Sequence, residues 1–357
     1  MIGFVSTPYS DETFFHQLLA KAISSHASDI HIKVGQPPGA RIRGEMVYFK
    51  TARVTPADTD AVALRVIRQP EIRERLSELQ EFDASYEVPS LGRFRLNIYR
   101  QRGSLAIVMR FIPADVPTID ELGLPPVARE LAEKENGMVL LTGAAGNGKS
   151  TSIAAMLSHL NTTRSLHIVT IEDPVEYVHG DRMSSVSQRE VGLDTESFAK
   201  ALRSALRQDP DVIFVGEIRD EETMEIALKA AETGHLLLST LHTTDAARTI
   251  NRMLALMSGD AQENRIRIAN ALQGVIAQRL LPKADATGQV LAAEVLVVTH
   301  LVRESIRRPD HNPTLKALME KGVHPYGMQT FQMHVEELLE KGIIDDITMR
   351  EALGLAQ

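Results

Sequence analysis

The residues best equipped for chemistry form one uninterrupted run, Gly143-Ala144-Ala145-Gly146-Asn147-Gly148-Lys149-Ser150-Thr151, which satisfies GxxxxGK[ST]. Glycines let backbone N–H groups converge on phosphate oxygens, and a helix starting directly afterwards adds the positive end of its dipole. Lys149 brings a point charge to the terminal phosphates, and the Ser150 hydroxyl is a hard oxygen ligand for Mg²⁺. The flanks agree: Met138-Val139-Leu140-Leu141 reads as a buried strand before the loop, and Thr151 to Leu160 is helix-compatible after it. A glycine-rich turn before an ordinary helix would account for the glycines, but not for Lys149-Ser150 placed immediately behind them.

Two acidic segments follow apolar runs, at the strand ends where open α/β sheets gather their ligands. Val212-Ile213-Phe214-Val215 leads into Gly216-Glu217-Ile218-Arg219-Asp220, which puts Glu217 at a strand tip as the metal-side carboxylate. Leu166 to Ile171 leads into Glu172-Asp173-Pro174-Val175-Glu176-Tyr177, which offers three carboxylates, and the spacing leaves open which of them polarises an attacking water. Taken alone, either segment reads rather as a helix cap or a solvated turn. His235 and His242 flank Leu236 to Leu241, with Ser239 and Thr240 near the strand tip, and their spacing is not that of a metal site. By themselves the two histidines read as hydrogen-bonded structural residues.

Positioning such groups requires a parallel sheet, and the pattern supplies one. Apolar runs at Met138–Leu141, Leu166–Ile171, Val212–Val215 and Leu236–Leu241 alternate with helical stretches, which predicts a mainly parallel sheet covered on both faces. After Ala261 the pattern turns helical except at Val290 to Val298, so the tail is expected to form a helical cap. The first third differs. Phe14, Phe15, Leu18, Leu19, Ala22 and Ile23 share one face of a helix over Glu12 to Ser24, started by Ser10 and Asp11. Ile30, Ile32 and Val34 alternate with polar residues up to a Gly35-Gln36-Pro37-Pro38-Gly39 turn, and Thr55-Pro56 opens a second helix to Ile67. Alternation returns in Phe94-Leu96-Ile98 and Leu105-Ile107-Met109-Phe111, so Arg95 and Arg110 fall on the non-core faces of their strands. Pro113, Pro117, Pro125 and Pro126 punctuate the junction. The expected division is a small α+β domain over residues 1–113, a linker over 114–120 and an α/β domain over 121–357 with a helical C-terminal part.

Composition bounds the function. The chain has 357 residues, 43% of them hydrophobic, enough to bury two cores. It has no cysteine, which removes disulfides, thiolate zinc sites and cysteine nucleophiles together. A net charge of -8 argues against a nucleic-acid coat. No run of about 18 apolar residues and no signal peptide are visible, so no membrane span and a cytoplasmic location are expected.

Four blocks, GAAGNGKST, TIEDPVEYVH, ALRSALRQDPDVIFVGEIRD and AAETGHLLLSTLHTTDAARTINRML, together resemble the Walker A, Asp box, Walker B and His box of the secretion and type IV pilus ATPases. SDIHIKVGQPP near the start and GMQTF near the end also fit. Within that family the chain is most similar to the PilT-like pilus retraction ATPases, because it is short, lacks the four-cysteine zinc module of many assembly and secretion members, and carries Leu301-Val302-Arg303-Glu304-Ser305-Ile306-Arg307-Arg308 as a diverged form of a retraction-branch helix motif. The resemblance implies a RecA-like P-loop motor domain behind a smaller PAS-like α+β domain, a homohexameric ring, and hydrolysis of ATP with Mg²⁺ to power pilus retraction and twitching motility. It implies an inner-membrane platform protein, and through it pilin, as partners at the cytoplasmic base of the pilus machine. It also assigns roles: Glu176 as catalytic carboxylate, Glu217 as the Walker B residue, His235 and His242 in the His box, and Arg95 and Arg110 as arginines directed at the nucleotide. The family's loop usually reads GPTGSGKST, so Ala144, Ala145 and Asn147 are departures.

Three other readings compete: an assembly or secretion ATPase of the same family, a nucleic-acid translocase, and an ATP-dependent scaffold with little turnover. Aromatics are 4% of residues, tryptophan is absent and no stretch interleaves basic with stacking side chains, so stable nucleic-acid binding is not expected. The pair Glu176 and Glu217 argues against a scaffold.

Overall fold

The computed structural model describes residues 7–42, 44–88, 91–112 and 115–355. The chain divides into two compact units, Met1–Asp115 and Val116–Gln357. Pro113 and residue 114, where the sequence suggests a boundary, lie outside the described residues.

In the first unit α1 (Glu12–Ser24) begins where the Asp11 side chain accepts the Thr13 N–H at 2.9 Å. It buries Phe15, Leu18, Leu19 and Ala22 on one face. Strands β1 (Ala27–Lys33), β2 (Gly39–Ile42) and β3 (Glu45–Tyr48) precede α2 (Pro56–Val66), the short α3 (Pro70–Glu74), and β4 (Glu81–Val88), β5 (Gly92–Gln101) and β6 (Ser104–Ile112). A capping box starts α2, with the Thr55 N–H and hydroxyl both 2.7 Å from Asp58 Oδ2. The strands form one antiparallel sheet of six, in the order β3-β2-β1-β6-β5-β4. Its packed face carries Ile30, Ile32, Phe94, Leu96, Ile98, Ile107 and Met109, all buried with Phe15, Leu19 and Val62. Period-two alternation sends the intervening residues to the other face. The four-residue strands β2 and β3 carry no strong alternation of their own and escape the sequence pattern. By contrast β4 does alternate, Phe82, Ala84, Tyr86 and Val88 standing between polar residues, and is a strand the sequence reading passes over.

The second unit runs α4 (Val127–Ala132), β7 (Gly137–Thr142), α5 (Lys149–Thr163), β8 (His167–Glu172), β9 (Ser185–Glu190), α6 (Phe198–Ala205), β10 (Val212–Val215), α7 (Glu221–Glu232), β11 (Leu236–Leu241), α8 (Ala246–Ala255) and α9 (Ala261–Ala271). It continues with β12 (Leu272–Pro282), β13 (Gln289–Val297), α10 (His300–Arg307), α11 (Leu315–Lys321), α12 (Phe331–Glu340) and α13 (Asp346–Leu353). Seven strands lie in the order β13-β12-β7-β11-β10-β8-β9, every pair parallel except β12 with β13. Each residue of β7, β10 and β11 is buried, as expected of strands covered on both faces. The cover separates into two cores, one including Met138, Val169, Ile213 and Leu237, the other Val139, Ile168, Phe214 and Leu238. The proline-punctuated start of this unit is built into it: Ile119 and Leu124 are buried in the second of those cores.

The tail departs from the expected helical cap. Leu272 to Pro282 is an 11-residue strand inserted between β7 and β13, so four helices close the chain only after a hairpin has extended the sheet. The sequence LQGVIAQRLLP has helix-compatible residues and no alternation. Ladder partners on both sides, the remote β7 and the hairpin partner β13, override that local preference.

Candidate nucleotide site

Because β7, β8, β10 and β11 are parallel and in register, Thr142, Glu172, Gly216 and His242 all fall at or just beyond one edge of the sheet, the edge at the strands' carboxyl ends. The loop from Gly143 to Gly148 leaves β7 at that edge and enters α5 two residues earlier than the sequence pattern suggests. Gly143, Gly146 and Gly148 take φ values of 147°, 79° and 76°, where a Cβ is strained, which explains why these three positions are glycine. No side chain caps α5, whereas α7 and α8 open with Asp220 and Asp245 accepting the Thr223 and Arg248 N–H groups. The amino end of α5 therefore keeps its N–H groups for an anion.

Lys149 is buried, its Nζ donating to the carbonyls of Gly143 at 2.8 Å and Ala144 at 3.0 Å. Burial lowers its ammonium from the usual range, while Glu217 and then Glu176 pull it back up. Lys149 is therefore under the electrostatic influence of both carboxylates, each from a different strand end.

Glu217 is held tightly. Ser239 Oγ donates to the Val215 carbonyl at 2.7 Å, Thr240 Oγ1 to the Gly216 carbonyl at 2.7 Å, and the Ile218 N–H to the Thr240 carbonyl at 3.3 Å. The two hydroxyls at the tip of β11 thus fix the backbone that presents Glu217. Its carboxylate pairs with Arg219 and lies 3.3 Å from His242 Nε2. Arg219 is a neighbour that residue type alone gave no reason to single out.

The second acidic segment separates its carboxylates by environment. Glu172 is buried, and its carboxylate accepts from Thr170 Oγ1 at 2.7 Å, Gln188 Nε2 at 3.1 Å and the Glu176 N–H at 3.4 Å. Burial raises its pKa despite these bonds, so it serves as a strut rather than a group facing water. Gln188 Nε2 also donates to the Tyr177 carbonyl at 2.8 Å, and Tyr177 Oη lies 3.0 Å from Thr151 Oγ1 on α5. Glu176, half-buried, is thereby anchored through the backbone on both sides while its carboxylate stays near Lys149. Asp173, joined to Pro174 by a cis peptide, is exposed.

The remaining residues are not all brought to this edge. His235 stands before β11, opposite the strand end that carries His242, with Nδ1 3.1 Å from the Ala230 carbonyl at the end of α7. Arg95 and Arg110 belong to the first unit, directly opposite each other on β5 and β6, both exposed on the face away from the core. Arg110 Nε donates to Asp29 Oδ1 at 2.9 Å, and Ser28 Oγ donates to Asp29 Oδ2 at 2.8 Å. Ala144 and Ala145 are exposed in the loop, while Asn147 makes contacts that its type did not predict: its carbonyl accepts from Gln278 Nε2 at 2.6 Å and its Oδ1 from the Leu280 N–H at 3.1 Å. Among the described residues no group of three or more histidines and carboxylates could hold a metal by itself, and no helix is long and apolar enough to cross a membrane.

A family model described as Type II/IV secretion system protein matches residues 10–313. The chain is 41% identical over 336 residues to the type IV pilus retraction ATPase PilT of Pseudomonas aeruginosa, covering 94% of this chain and 96% of that one. It is 39% identical over 308 residues to a twitching motility protein of Neisseria gonorrhoeae, covering 86% and 82% respectively. A crystal structure of the pilus retraction motor PilT with bound ADP matches it with a TM-score of 0.87 at 44% identity, over 94% of this chain and 96% of the other.

Proposed function

The chain belongs to the type II/IV secretion system protein family, and from that premise we propose that it is an ATPase whose turnover powers type IV pilus retraction. The observation that carries this reading is Lys149, seated at the mouth of an uncapped helix and drawn upon electrostatically by Glu217 and Glu176 from two neighbouring strand ends. A turn that happened to contain glycines would not collect both carboxylates there.

Each group has a task that its surroundings support. The loop N–H groups and Lys149 bind the phosphates. Lys149 leaves the Gly143 and Ala144 carbonyls to do so, exchanging two neutral acceptors for charged ones. Mg²⁺ suits the hard oxygens of Ser150 and Glu217 and, when bound, neutralises charge between the terminal phosphates. Glu176 orients and deprotonates the attacking water, because unlike buried Glu172 it is not tied up in side-chain bonds and unlike exposed Asp173 it acts on Lys149. His242, 3.3 Å from Glu217, is placed to hydrogen-bond that carboxylate and respond to its state. Arg95 and Arg110 supply the cationic charge that phosphoryl transfer gains from arginines outside the P-loop. This division of labour suits a homohexameric ring at the cytoplasmic base of the pilus machine, working on pilin through an inner-membrane platform protein.

Retraction is favoured over assembly by the near full-length match to a retraction ATPase. The test is a deletion strain scored for surface pili and twitching: accumulated pili with lost motility support retraction, whereas bald cells overturn it. ATPase activity stimulated by single-stranded DNA would favour the translocase reading instead.

A further inference from the structure

We propose that Gln278 on β12 is a positioning residue for the phosphate-binding loop, clamping it together with Asn147 into the shape that phosphate requires. The inference rests on reading residues 143–151 as the phosphate site, and goes beyond it by assigning a residue with no place in any nucleotide-binding motif.

Four observations converge. First, β12 runs parallel to β7 with Ala277 paired to Thr142, so Gln278 is the residue alongside the point where β7 opens into the loop. Second, Gln278 is only 1% exposed, an expensive place for an amide, and its Nε2 donates to the Asn147 carbonyl at 2.6 Å. That carbonyl must be turned outward for the neighbouring N–H groups to face an anion, so a donor holding it fixes the sense of the loop. Third, strand and loop touch backbone to backbone: a Cβ at Gly143 would come within 2.5 Å of the Gln278 carbonyl, and one at Gly148 within 3.4 Å of Gln278 Nε2. Fourth, the clamp closes from the loop side, where Asn147 Oδ1 accepts the Leu280 N–H at 3.1 Å. Asn147 is where the loop departs from the usual serine, so this chain has its own version of the closing bond. Gln278 Oε1 is buried without a hydrogen-bond partner, a cost that makes sense if the amide is retained for its donor.

The same strand leads elsewhere. Arg279 donates to the Ala352 carbonyl at 3.2 Å and lies 4.2 Å over the Phe331 ring, so β12 joins the phosphate loop to α12 and α13. Loss of the clamp should loosen the loop without loosening the edge strand β9.

The test uses the purified full-length chain with Mg²⁺-ADP as probe. Gln278→Ala is expected to weaken ADP binding about tenfold, the scale of one lost hydrogen bond that orders a loop, and Gln278→Glu more strongly, because a carboxylate would face the Asn147 carbonyl. Asn147→Ala should weaken binding by about threefold, and the double substitution by less than the product of the two. Without nucleotide, amide hydrogen exchange over residues 143–148 should accelerate in Gln278→Ala while that over β9 stays unchanged, a pattern that general destabilisation would not produce. Lys149→Ala is the control: loss of ADP binding there, with wild-type affinity and loop exchange in Gln278→Ala, overturns the clamp alone. Normal ADP binding by Lys149→Ala overturns the underlying phosphate site. If Gln278→Ala does not fold, Asn147→Ala carries the test, and unchanged affinity and exchange in that variant overturn the proposal.

Discussion

In the seven-stranded sheet both faces of the central strands are covered, so Lys149, Glu176, Glu217 and His242 all lie where strands stop; in the six-stranded sheet one face packs on α1 and α2, and Asp29, Arg95 and Arg110 stand in a row across the other. The contrast follows from strand direction. A parallel sheet sends each strand's end to the same edge, and chemistry collects there by register. An antiparallel sheet with a packed face and a polar face offers a surface instead, and chemistry collects by alternation. Two arginines directly opposite each other are an unfavourable cross-strand pair, only partly relieved by Asp29. Retaining them is easier to understand if an anion shares the face.

The edge can be tested by removing its charge. Lys149→Ala should abolish tight ATP binding in a chain that stays folded, whereas Glu217→Gln should keep binding and stop turnover. Equilibrium nucleotide binding and steady-state hydrolysis check both. Normal turnover by Lys149→Ala would mean that the carboxyl-end edge of the parallel sheet is not the site.

The face can be tested separately. Arg95→Ala and Arg110→Ala should each lower kcat by about 10²-fold or more in assembled rings, since an added arginine commonly gives phosphoryl transfer about 10³-fold. Mixed with Glu217→Gln subunits, Arg95→Ala subunits should recover activity above that of either variant alone if the face completes a neighbour's edge. Wild-type hydrolysis by both arginine variants would reduce the comparison to one functional region.

Within the edge, a smaller effect separates strut from base. Glu176→Gln should lower kcat by about 10²-fold with little change in nucleotide affinity, while Glu172→Gln should be milder in kcat and show up mainly in thermal stability, because its carboxylate already spends its acceptors on Thr170, Gln188 and the Glu176 N–H. The reverse order would exchange their roles.

Which of these groups could be read from the sequence depended on how they are held. Lys149 and Ser150 are legible because loop, lysine and hydroxyl are contiguous, and Glu217 because an apolar run announces its strand end. Glu172 and Glu176 were indistinguishable as residue types; the burial of Glu172 and its hydrogen bonds from Thr170 and Gln188, which no local pattern announces, separate them. Gln278 was invisible because its place comes only from β12 lying beside β7, and β12 itself lacks alternation. The edge strand β9, with the sequence SVSQRE, is strand-like only through its ladder with β8. His235 and His242 look equivalent on either side of β11, and strand direction alone sends one to the site and the other away.

The smallest expected effect concerns pH, and it again sets edge against face. His179, just past the Glu176 segment, has its imidazole pushed down to about 4 by burial. His31, on the outer face of the first sheet, is also lowered by burial, but Asp29 beside it pulls upward. A histidine whose folded pKa lies below its unfolded value near 6.5 binds protons more readily in the unfolded chain, so stability is full above that value and falls as pH drops toward 4. Buried Glu172 and Glu294 work in the opposite sense, since burial raises both and protonating them in acid relieves the folded state. The histidine contribution must therefore be isolated by substitution. Between pH 7.5 and 5, wild type should lose about 1–2 kcal/mol more than His179→Gln, about 2–6 °C in Tm for a unit of this size. His31→Gln should narrow the loss by less, because the carboxylate already favours its charged form. Thermal scans of the three chains at both pH values decide it. Equal acid sensitivity of wild type and His179→Gln would show that the strand-end segment is not where this protein keeps its buried neutral histidine, and a larger effect at His31 would move that role to the open face.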